Sequence, residues 1–417
     1  MEISLLKEIA KDQREVLQAT EPGVEREKLA ELEKLPRKNF AVVITGPRRC
    51  GKSTLLRQFV EKHAKSNYYY FDFDDERIAS FQTSDFEHLL TALYELYGEK
   101  EYFLFDEIQN IDKWELFINR LLKTGKKIVI TGSNSKMLSG ELATHLTGRH
   151  LDLELFPFSF KEYLKAKNFT INAQNIYTTK ERAAINKYLN EYIEFGGFPE
   201  MLNEKNYVVL QKLFEDIIYK DTRNLSEKQF SVKEAANFLI TNVANKISLY
   251  NIKNQFEMGS VNTAKKLIEA LEKSYLLFTA SIYSSSYKQQ LVNPKKIYCV
   301  DTGLANNVSI KLSKNHGQLL ENLVFTELRR KNNEMYYFQK KQEVDFILVE
   351  KNKAVQAIQV SSEINKDSRE REEKALLEAL QETGLEKGLI ITREHEEVKK
   401  GNGKIIQYIP IWKWLLQ

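Results

Sequence analysis

One short stretch holds the densest chemistry in the chain: Gly46-Pro47-Arg48-Arg49-Cys50-Gly51-Lys52-Ser53, followed by Thr54. Its spacing, G-x-x-x-x-G-K-S, is that of a phosphate-binding loop. Gly46 and Gly51 let the backbone turn so that successive N–H groups point inward at phosphate oxygens. A helix starting near Lys52 adds its positive amino end. Lys52 is expected on the β- and γ-phosphates and the Ser53 hydroxyl on Mg²⁺. A second stretch, Tyr102-Phe-Leu-Phe-Asp106-Glu107, ends in two adjacent carboxylates. Such a pair means little alone, but behind a phosphate loop it reads as a Walker B segment. Asp106 would hold Mg²⁺ directly or through water, and Glu107 would polarise the attacking water as general base. In Lys126-Lys-Ile-Val-Ile-Thr131-Gly-Ser133-Asn134, Ser133 or Asn134 could sense the γ-phosphate or hold that water, although Gly-Ser-Asn also favours an ordinary turn. Arg149 could face its own nucleotide, or a neighbouring subunit's to stabilise transition-state charge, or be a surface arginine. Asp72, Asp74 and Asp75 close an aromatic run at the sheet edge where α/β proteins bind ligands. A solvated acidic turn reads equally well there.

These residues need a sheet to hold them. The β-branched run Ala41-Val-Val-Ile-Thr45 predicts a strand before the loop, and the pattern after it predicts a helix. Ser66–Asp75, Tyr102–Glu107 and Lys126–Thr131 read as further strands, and the alternation Leu151, Leu153, Leu155 as a half-buried one. Residues 1–35 read as two helices around a break at Glu21-Pro22-Gly23, with Ile3, Leu6, Ile9 and Val16 on the packed face.

A chain of 417 residues is expected to hold two to three domains at about 150 residues each. Hydrophobic content of 42% and charged content of 29% are ordinary for a globular protein. No apolar run approaches the ~20 residues of a membrane span, and Met1-Glu-Ile-Ser-Leu-Leu-Lys-Glu lacks a signal-peptide layout. Cys50 and Cys299 are the only cysteines, which excludes a disulfide framework or a cysteine-rich zinc site and fits a reducing cytoplasm. A net charge of +4 permits contact with nucleic acid without arguing for it. No internal repeat or low-complexity tract stands out.

The phosphate loop, Phe105-Asp-Glu-Ile-Gln-Asn with Trp114 behind it, Ile130-Thr-Gly-Ser-Asn-Ser, Leu146-Thr-Gly-Arg and Phe156-Pro-Phe-Ser-Phe-Lys-Glu-Tyr-Leu together resemble a group of prokaryotic AAA-type ATPases. These carry a winged-helix segment and a C-terminal domain of unknown function. Phe195-Gly-Gly-Phe-Pro-Glu200 and Ile218-Tyr-Lys-Asp221 match as well, so the resemblance spans nearly the whole chain. Cys50 and Ser53 depart from the valine and threonine common there, and both are chemically tolerable. The resemblance implies an α/β protein with an AAA-type parallel sheet and a helical lid. It also implies ATP rather than GTP, bound with Mg²⁺ by Gly46, Pro47, Arg48, Arg49, Cys50, Gly51, Lys52, Ser53 and Thr54.

Beyond that length-based figure, motifs and resemblance together divide the chain into four segments. The ATPase core with its amino-terminal helices covers 1–158, and a helical lid covers 159–206. A winged-helix domain follows at 207–310. In it, Ser248–Asn254, Gly259-Ser260 and Val261–Ser274 read as a helix-turn-helix, with Ser260 or Asn262 as cap. Its second helix carries Lys265, Lys266 and Lys273, which suit double-stranded DNA. Val261, Leu267, Ile268 and Leu271 are packing positions, so protein contact is open too. Residues 311–417 read as helix, strands at Met335–Phe338, Val344–Glu350 and Val355–Val360, helix Arg369–Leu380, then strand Gly388–Thr392. This resembles a restriction-endonuclease-like fold, in which a helix Glu, a strand Asp and a Glu-x-Lys hold Mg²⁺ and activate water. Glu321 and Asp345 match, but Gln359 and Ser361 stand where Glu and Lys belong, so nuclease activity is not expected even with Glu343 or Glu363 nearby. The expected function is Mg²⁺-dependent ATP hydrolysis coupled to conformational change and a partner such as DNA. The alternatives are a nucleotide-regulated DNA nuclease and an ATP-binding signalling or scaffold switch with protein partners. A homo-oligomer is required if Arg149 acts in trans.

Overall fold

The apolar runs of the amino-terminal third become five parallel strands. The computed structural model describes residues 1–133, 146, 148–171, 178–202, 206–222, 231–309, 316–401 and 403–417. The chain divides into two units, Met1–Pro157 and Phe158–Gln417.

In the first unit, β1 (Ala41–Thr45), β2 (Tyr68–Asp72), β3 (Tyr102–Asp106), β4 (Lys127–Gly132) and β5 (His150–Glu154) lie in the order β2-β3-β4-β1-β5. Parallel pairing needs crossover connections. These place α2 (Lys52–Phe59), α3 (Phe86–Tyr97) and α4 (Trp114–Lys123) over the sheet, and α1 (Ile3–Ala19), which precedes β1, packs there as well. With both faces covered, β1 to β4 are almost entirely buried rather than alternating, whereas the edge strand β5 keeps the expected alternation, with Leu153 buried and Asp152 exposed. Side chains still alternate between two cores. Val43, Phe71, Phe105 and Ile130 meet Leu6, Leu89 and Ile118 on one face. Val42, Ile44, Leu104 and Val129 meet Leu55, Leu56, Phe59 and Leu17 on the other. Val16 does not belong to the packed face of α1 as expected: it is 66% exposed, and the buried row is Leu6, Ile9, Ala10, Gln13 and Leu17. The carboxyl ends of β1, β2, β3 and β4 all reach one sheet edge.

The second unit opens with helices α5 (Phe160–Ala166), α6 (Thr179–Phe195), α7 (Tyr207–Asp221) and α8 (Val232–Thr241). There follow β6 (Lys246–Ile247), α9 (Leu249–Gln255), α10 (Val261–Lys273), β7 (Leu277–Ala280), α11 (Tyr287–Val292) and β8 (Lys295–Cys299). The three strands form an antiparallel sheet with β8 in the centre. Of the two expected caps, Ser260 closes α10, its side chain accepting the Thr263 N–H at 3.1 Å. Helix α12 (Thr302–Val308) then presses against the end of α6. A Cβ at Gly196 would strike the Asp301 carboxylate, and one at Gly303 would strike the Phe195 backbone. Asp301 accepts from the Gly197 N–H at 2.7 Å and caps α12 through the Leu304 N–H at 2.9 Å.

Helix α13 (His316–Arg330) leads into a six-stranded mixed sheet of β9 (Glu334–Gln339), β10 (Glu343–Glu350), β11 (Lys353–Ser361), β12 (Lys387–Thr392), β13 (Glu397–Gly401) and β14 (Lys404–Pro410). Its order is β13-β14-β12-β11-β10-β9. Helix α14 (Lys366–Thr383) crosses from β11 to β12, and α15 (Ile411–Leu415) ends the chain. Strands β13 and β14 extend the sheet beyond the expected elements.

Candidate active site

The glycine loop leaves β1 at the carboxyl edge. A Cβ on buried Gly46 would collide with the Leu155 carbonyl, so only glycine fits there. Gly51 turns left-handed at φ +98° immediately before α2. Arg49 is left-handed too, at φ +61°, so the loop's curvature does not fall on its glycines alone. The Lys52 ammonium is buried, donating to the carbonyls of Gly46 at 3.2 Å and Pro47 at 3.1 Å. It lies 3.6 Å from Glu107 Oε1.

Pairing of β3 with β4 sets Asp106 beside Thr131. The Thr131 hydroxyl donates to Asp106 Oδ1 and accepts the Glu107 N–H at 3.0 Å. Tyr70 donates to Asp106 Oδ2 at 3.3 Å, and the Ser53 side chain hydrogen-bonds the same carboxylate. Consecutive strand residues would face opposite sides of a sheet. Glu107 escapes that rule because its backbone is left-handed, at φ +48°. Both carboxylates therefore meet the loop: Asp106 at Ser53, Glu107 at Lys52. A strained non-glycine residue of this kind costs about 1–3 kcal/mol and is typical of functional positions. Glu107 Oε2 accepts the Ser133 N–H at 3.1 Å and the Gln109 side-chain amide.

Charge is unevenly matched here. Burial, then repulsion from Glu107, pushes Asp106 upward against the Ser53, Thr131 and Lys52 contacts. Burial and the Asp106 charge lift Asp72 to about 7. Burial also pushes Glu107 up, but Lys52, Gln109, Arg48 and Ser133 together outweigh it and hold that carboxyl below its ordinary value. A cluster of carboxylates beside a hydroxyl fits a hard divalent cation. Ser133 Oγ, buried at this edge, has no hydrogen-bond partner among the described residues. The residues present thus fit Mg²⁺ and a polyphosphate. Asn134 lies outside the described residues. Arg149 is exposed, and its carbonyl accepts the Ala41 N–H at 3.0 Å. It therefore stands at the amino edge of the sheet, about 16 Å of strand from the loop, and the structure does not bring it to this chain's own site. Of the acidic turn, Asp75 is taken up by Arg77 and Gln13.

In the second unit, Glu321 on α13 and Asp345 on β10 do meet, around Lys296 of β8. Its ammonium lies 2.8 Å from Glu321 Oε1, 2.8 Å from Asp345 Oδ1 and 2.6 Å from Glu343 Oε1. Gln359 is used structurally: its Oε1 accepts the Asp345 N–H at 3.1 Å, and its amide donates to Glu372 at 2.6 Å. Ser361 Oγ donates to the Glu363 carbonyl at 3.0 Å, and the Glu363 residue is exposed. These residues do not fit the Mg²⁺ of a nuclease centre, because a lysine ammonium holds the oxygens.

A family model described as an AAA domain matches residues 38–164. Two domains of unknown function follow, DUF8612 at 186–315 and DUF4143 at 316–414. An uncharacterised protein of Methanocaldococcus jannaschii is 38% identical over 403 residues, covering 91% of this chain and 88% of that one. The chain belongs to the same family. A Haemophilus influenzae member, also uncharacterised, is 31% identical and covers 91% of this chain and 95% of its own. The family's amino-terminal region is an AAA-type ATPase domain. Solved structures with slight likeness include the Aeropyrum pernix Orc1 protein in complex with DNA, 13% identical with a TM-score of 0.32 over 70% of this chain and 95% of that one. AMPPCP-bound DnaA from Aquifex aeolicus is 18% identical, with a TM-score of 0.25 over 64% and 89%.

Three residues of this AAA-family site escaped sequence reading. Thr131 and Tyr70 reach Asp106 only through strand register. Arg26, 3% exposed, donates to the Cys50 carbonyl at 2.7 Å and the Phe156 carbonyl at 2.6 Å. It ties the segment after α1 to the phosphate loop. Its signal in sequence was only an arginine close behind Pro22-Gly23.

Proposed function

We propose that this chain is a Mg²⁺-dependent ATPase whose cycle changes conformation and acts on a partner, double-stranded DNA through residues 207–310. The convergence of Lys52, Ser53, Asp106 and Glu107 on one sheet edge carries the reading. The loop N–H groups and the Lys52 ammonium bind phosphate oxygens, while Ser53 and Asp106 hold the metal. Bound Mg²⁺ supplies charge neutralisation and alignment of the phosphates. Glu107 Oε1 takes the proton of the attacking water, and Ser133 orients that water or the terminal phosphate. Lys52 gives this arrangement a switch. Its ammonium now lowers the basicity of Glu107, so turning it toward phosphate would make Glu107 a stronger base.

The order helix, strand, helix, helix, strand, short helix, strand from α8 to β8, with β7 and β8 as an antiparallel pair, supports a winged helix that carries α11 inside its wing. On α10, Asn262, Lys265 and Lys266 are exposed, which suits phosphate contact more than base readout. The order α13, β9, β10, β11, α14, β12 supports a nuclease-derived fold kept without cleavage. The 159–206 helices serve as the lid.

The test is ATP hydrolysis by the full chain with Mg²⁺, with and without duplex DNA, scoring the DNA for nicks. Stimulation with intact DNA is expected. Turnover indifferent to DNA would point to a protein partner, and nicking lost in Asp345→Ala would revive the nuclease. Glu107→Gln should still bind ATP while turnover falls by roughly 10²–10⁴-fold; wild-type turnover in that variant would remove Glu107 as the base.

A further inference from the structure

We propose that Lys296 is a built-in cation: its ammonium takes the place of a divalent ion among Glu321, Glu343 and Asp345, so that this acidic cluster clamps strand β8 instead of binding metal. The inference does not depend on the nucleotide site.

Lys296 is 1% exposed, and a lysine is almost never that buried unless its charge is paired. An ammonium has three protons to give. Here three carboxylate oxygens, from three different acids, surround it at 2.6–2.8 Å. The acids come from α13 and β10, whereas the lysine comes from the centre of a different sheet.

The second oxygens of Asp345 and Glu343 are also engaged. Asp345 Oδ2 accepts the Val360 N–H at 2.9 Å. Glu343 Oε2 accepts from Lys246 at 2.6 Å. Glu321 Oε1, already on the ammonium, also accepts from Tyr298 of β8 at 2.8 Å. A hard divalent ion would want several of these oxygens at once. To reach them it would have to push the Lys296 ammonium into an apolar interior without a partner, which is strongly unfavourable. The tethered ammonium, by contrast, is delivered by the fold itself. A second contact fixes the same strand: the Asn322 side chain accepts the Cys299 N–H at 2.7 Å and donates to the Cys299 carbonyl at 3.0 Å. Lys296 thus gives Glu321 and Asp345 a structural use beside Gln359 and Ser361, which offer a divalent ion no carboxylate.

The test uses the full-length, nucleotide-free chain and Mn²⁺ as probe, read by electron paramagnetic resonance and thermal unfolding. Wild type should hold no Mn²⁺ that an Asp345→Asn change abolishes; if it does, Lys296 is not the resident cation. Lys296→Met keeps the stem and removes the charge. It should melt lower than wild type, bind about one Mn²⁺ per chain at millimolar concentration, and regain melting temperature as Mn²⁺ is added. Adding Asp345→Asn to that variant should erase both gains. A folded Lys296→Met with no Asp345-dependent Mn²⁺ would overturn the proposal. Where Lys296→Met does not fold, Lys296→Arg decides the matter through metal binding: an arginine variant blind to Mn²⁺ supports an internal cation, and one that binds Mn²⁺ in an Asp345-dependent way refutes it.

Discussion

Arg26 is a single residue with two structural carbonyls in its hands, those of Cys50 and Phe156. The first belongs to the phosphate loop, and the second follows β5. Replacing Arg26 by Met would leave both buried acceptors without their donor, at about 1–3 kcal/mol for each group. Arg26→Met should therefore lower the unfolding free energy of the amino-terminal unit by about 2–6 kcal/mol and weaken ATP binding, as denaturant titration and nucleotide titration would report. An unchanged midpoint would mean the loop stands without this strap. Legibility divides along the same line. Lys52, Ser53, Asp106 and Glu107 could be read from sequence because phosphate and metal chemistry restricts both type and spacing. Arg26 lies 130 residues from Phe156, and Thr131 meets Asp106 through pairing of strands. No spacing rule reaches so far. The left-handed turn at Glu107 was equally invisible, since glutamate carries no sign of it.

Whole elements were easier. Runs such as Tyr68–Phe71 and Tyr102–Phe105 announce buried parallel strands, and the capping serine of α10 sits where a helix start needs it. Less visible were β13, where the charged residues Glu397, Lys399 and Lys400 obscure the alternation, β14, and the junction of α6 with α12. At that junction a buried carboxylate does the joining, and it should make stability depend on pH. Burial lifts Asp301 from 3.8 to about 6, against the pull of its hydrogen bonds from Gly197, Leu304 and Gly303 and of the Arg330 charge. The folded form then binds its proton more tightly than the unfolded form. Its contribution is greatest below pH 4 and is lost as pH rises toward 6, a change of about 3 kcal/mol. Asp301→Asn cannot titrate. The stability gap between wild type and this variant should shift by about that amount in the variant's favour from pH 4 to pH 7. A gap that stays flat in urea titrations would mean the folded carboxyl ionises normally.

At the scale of the whole molecule, the place of Arg149 bears on assembly. An exposed arginine at the amino edge of the sheet has no route to the loop at the carboxyl edge of its own chain, so any catalytic role must be played in a neighbour. If hydrolysis draws on a neighbour's Arg149, Arg149→Ala and Lys52→Ala chains should each be nearly inactive alone. Mixed, they should recover a share of turnover, because some interfaces would pair an intact loop with an intact arginine. Mixtures no better than their parts, or a fully active Arg149→Ala protein, would confine hydrolysis to the single chain. Among the described residues no helix is long and apolar enough to cross a membrane.

The two carboxyl-terminal family matches meet between residues 315 and 316, which invites cutting the gene there. Lys296 argues against it. The left-hand fragment would inherit a strand whose buried ammonium has no counter-charge, and the right-hand one a nest of acids with nothing to neutralise it. The seam that evolution's bookkeeping draws in sequence runs through the middle of one electrostatic joint, so the smallest expressible piece of this region has to carry both sides.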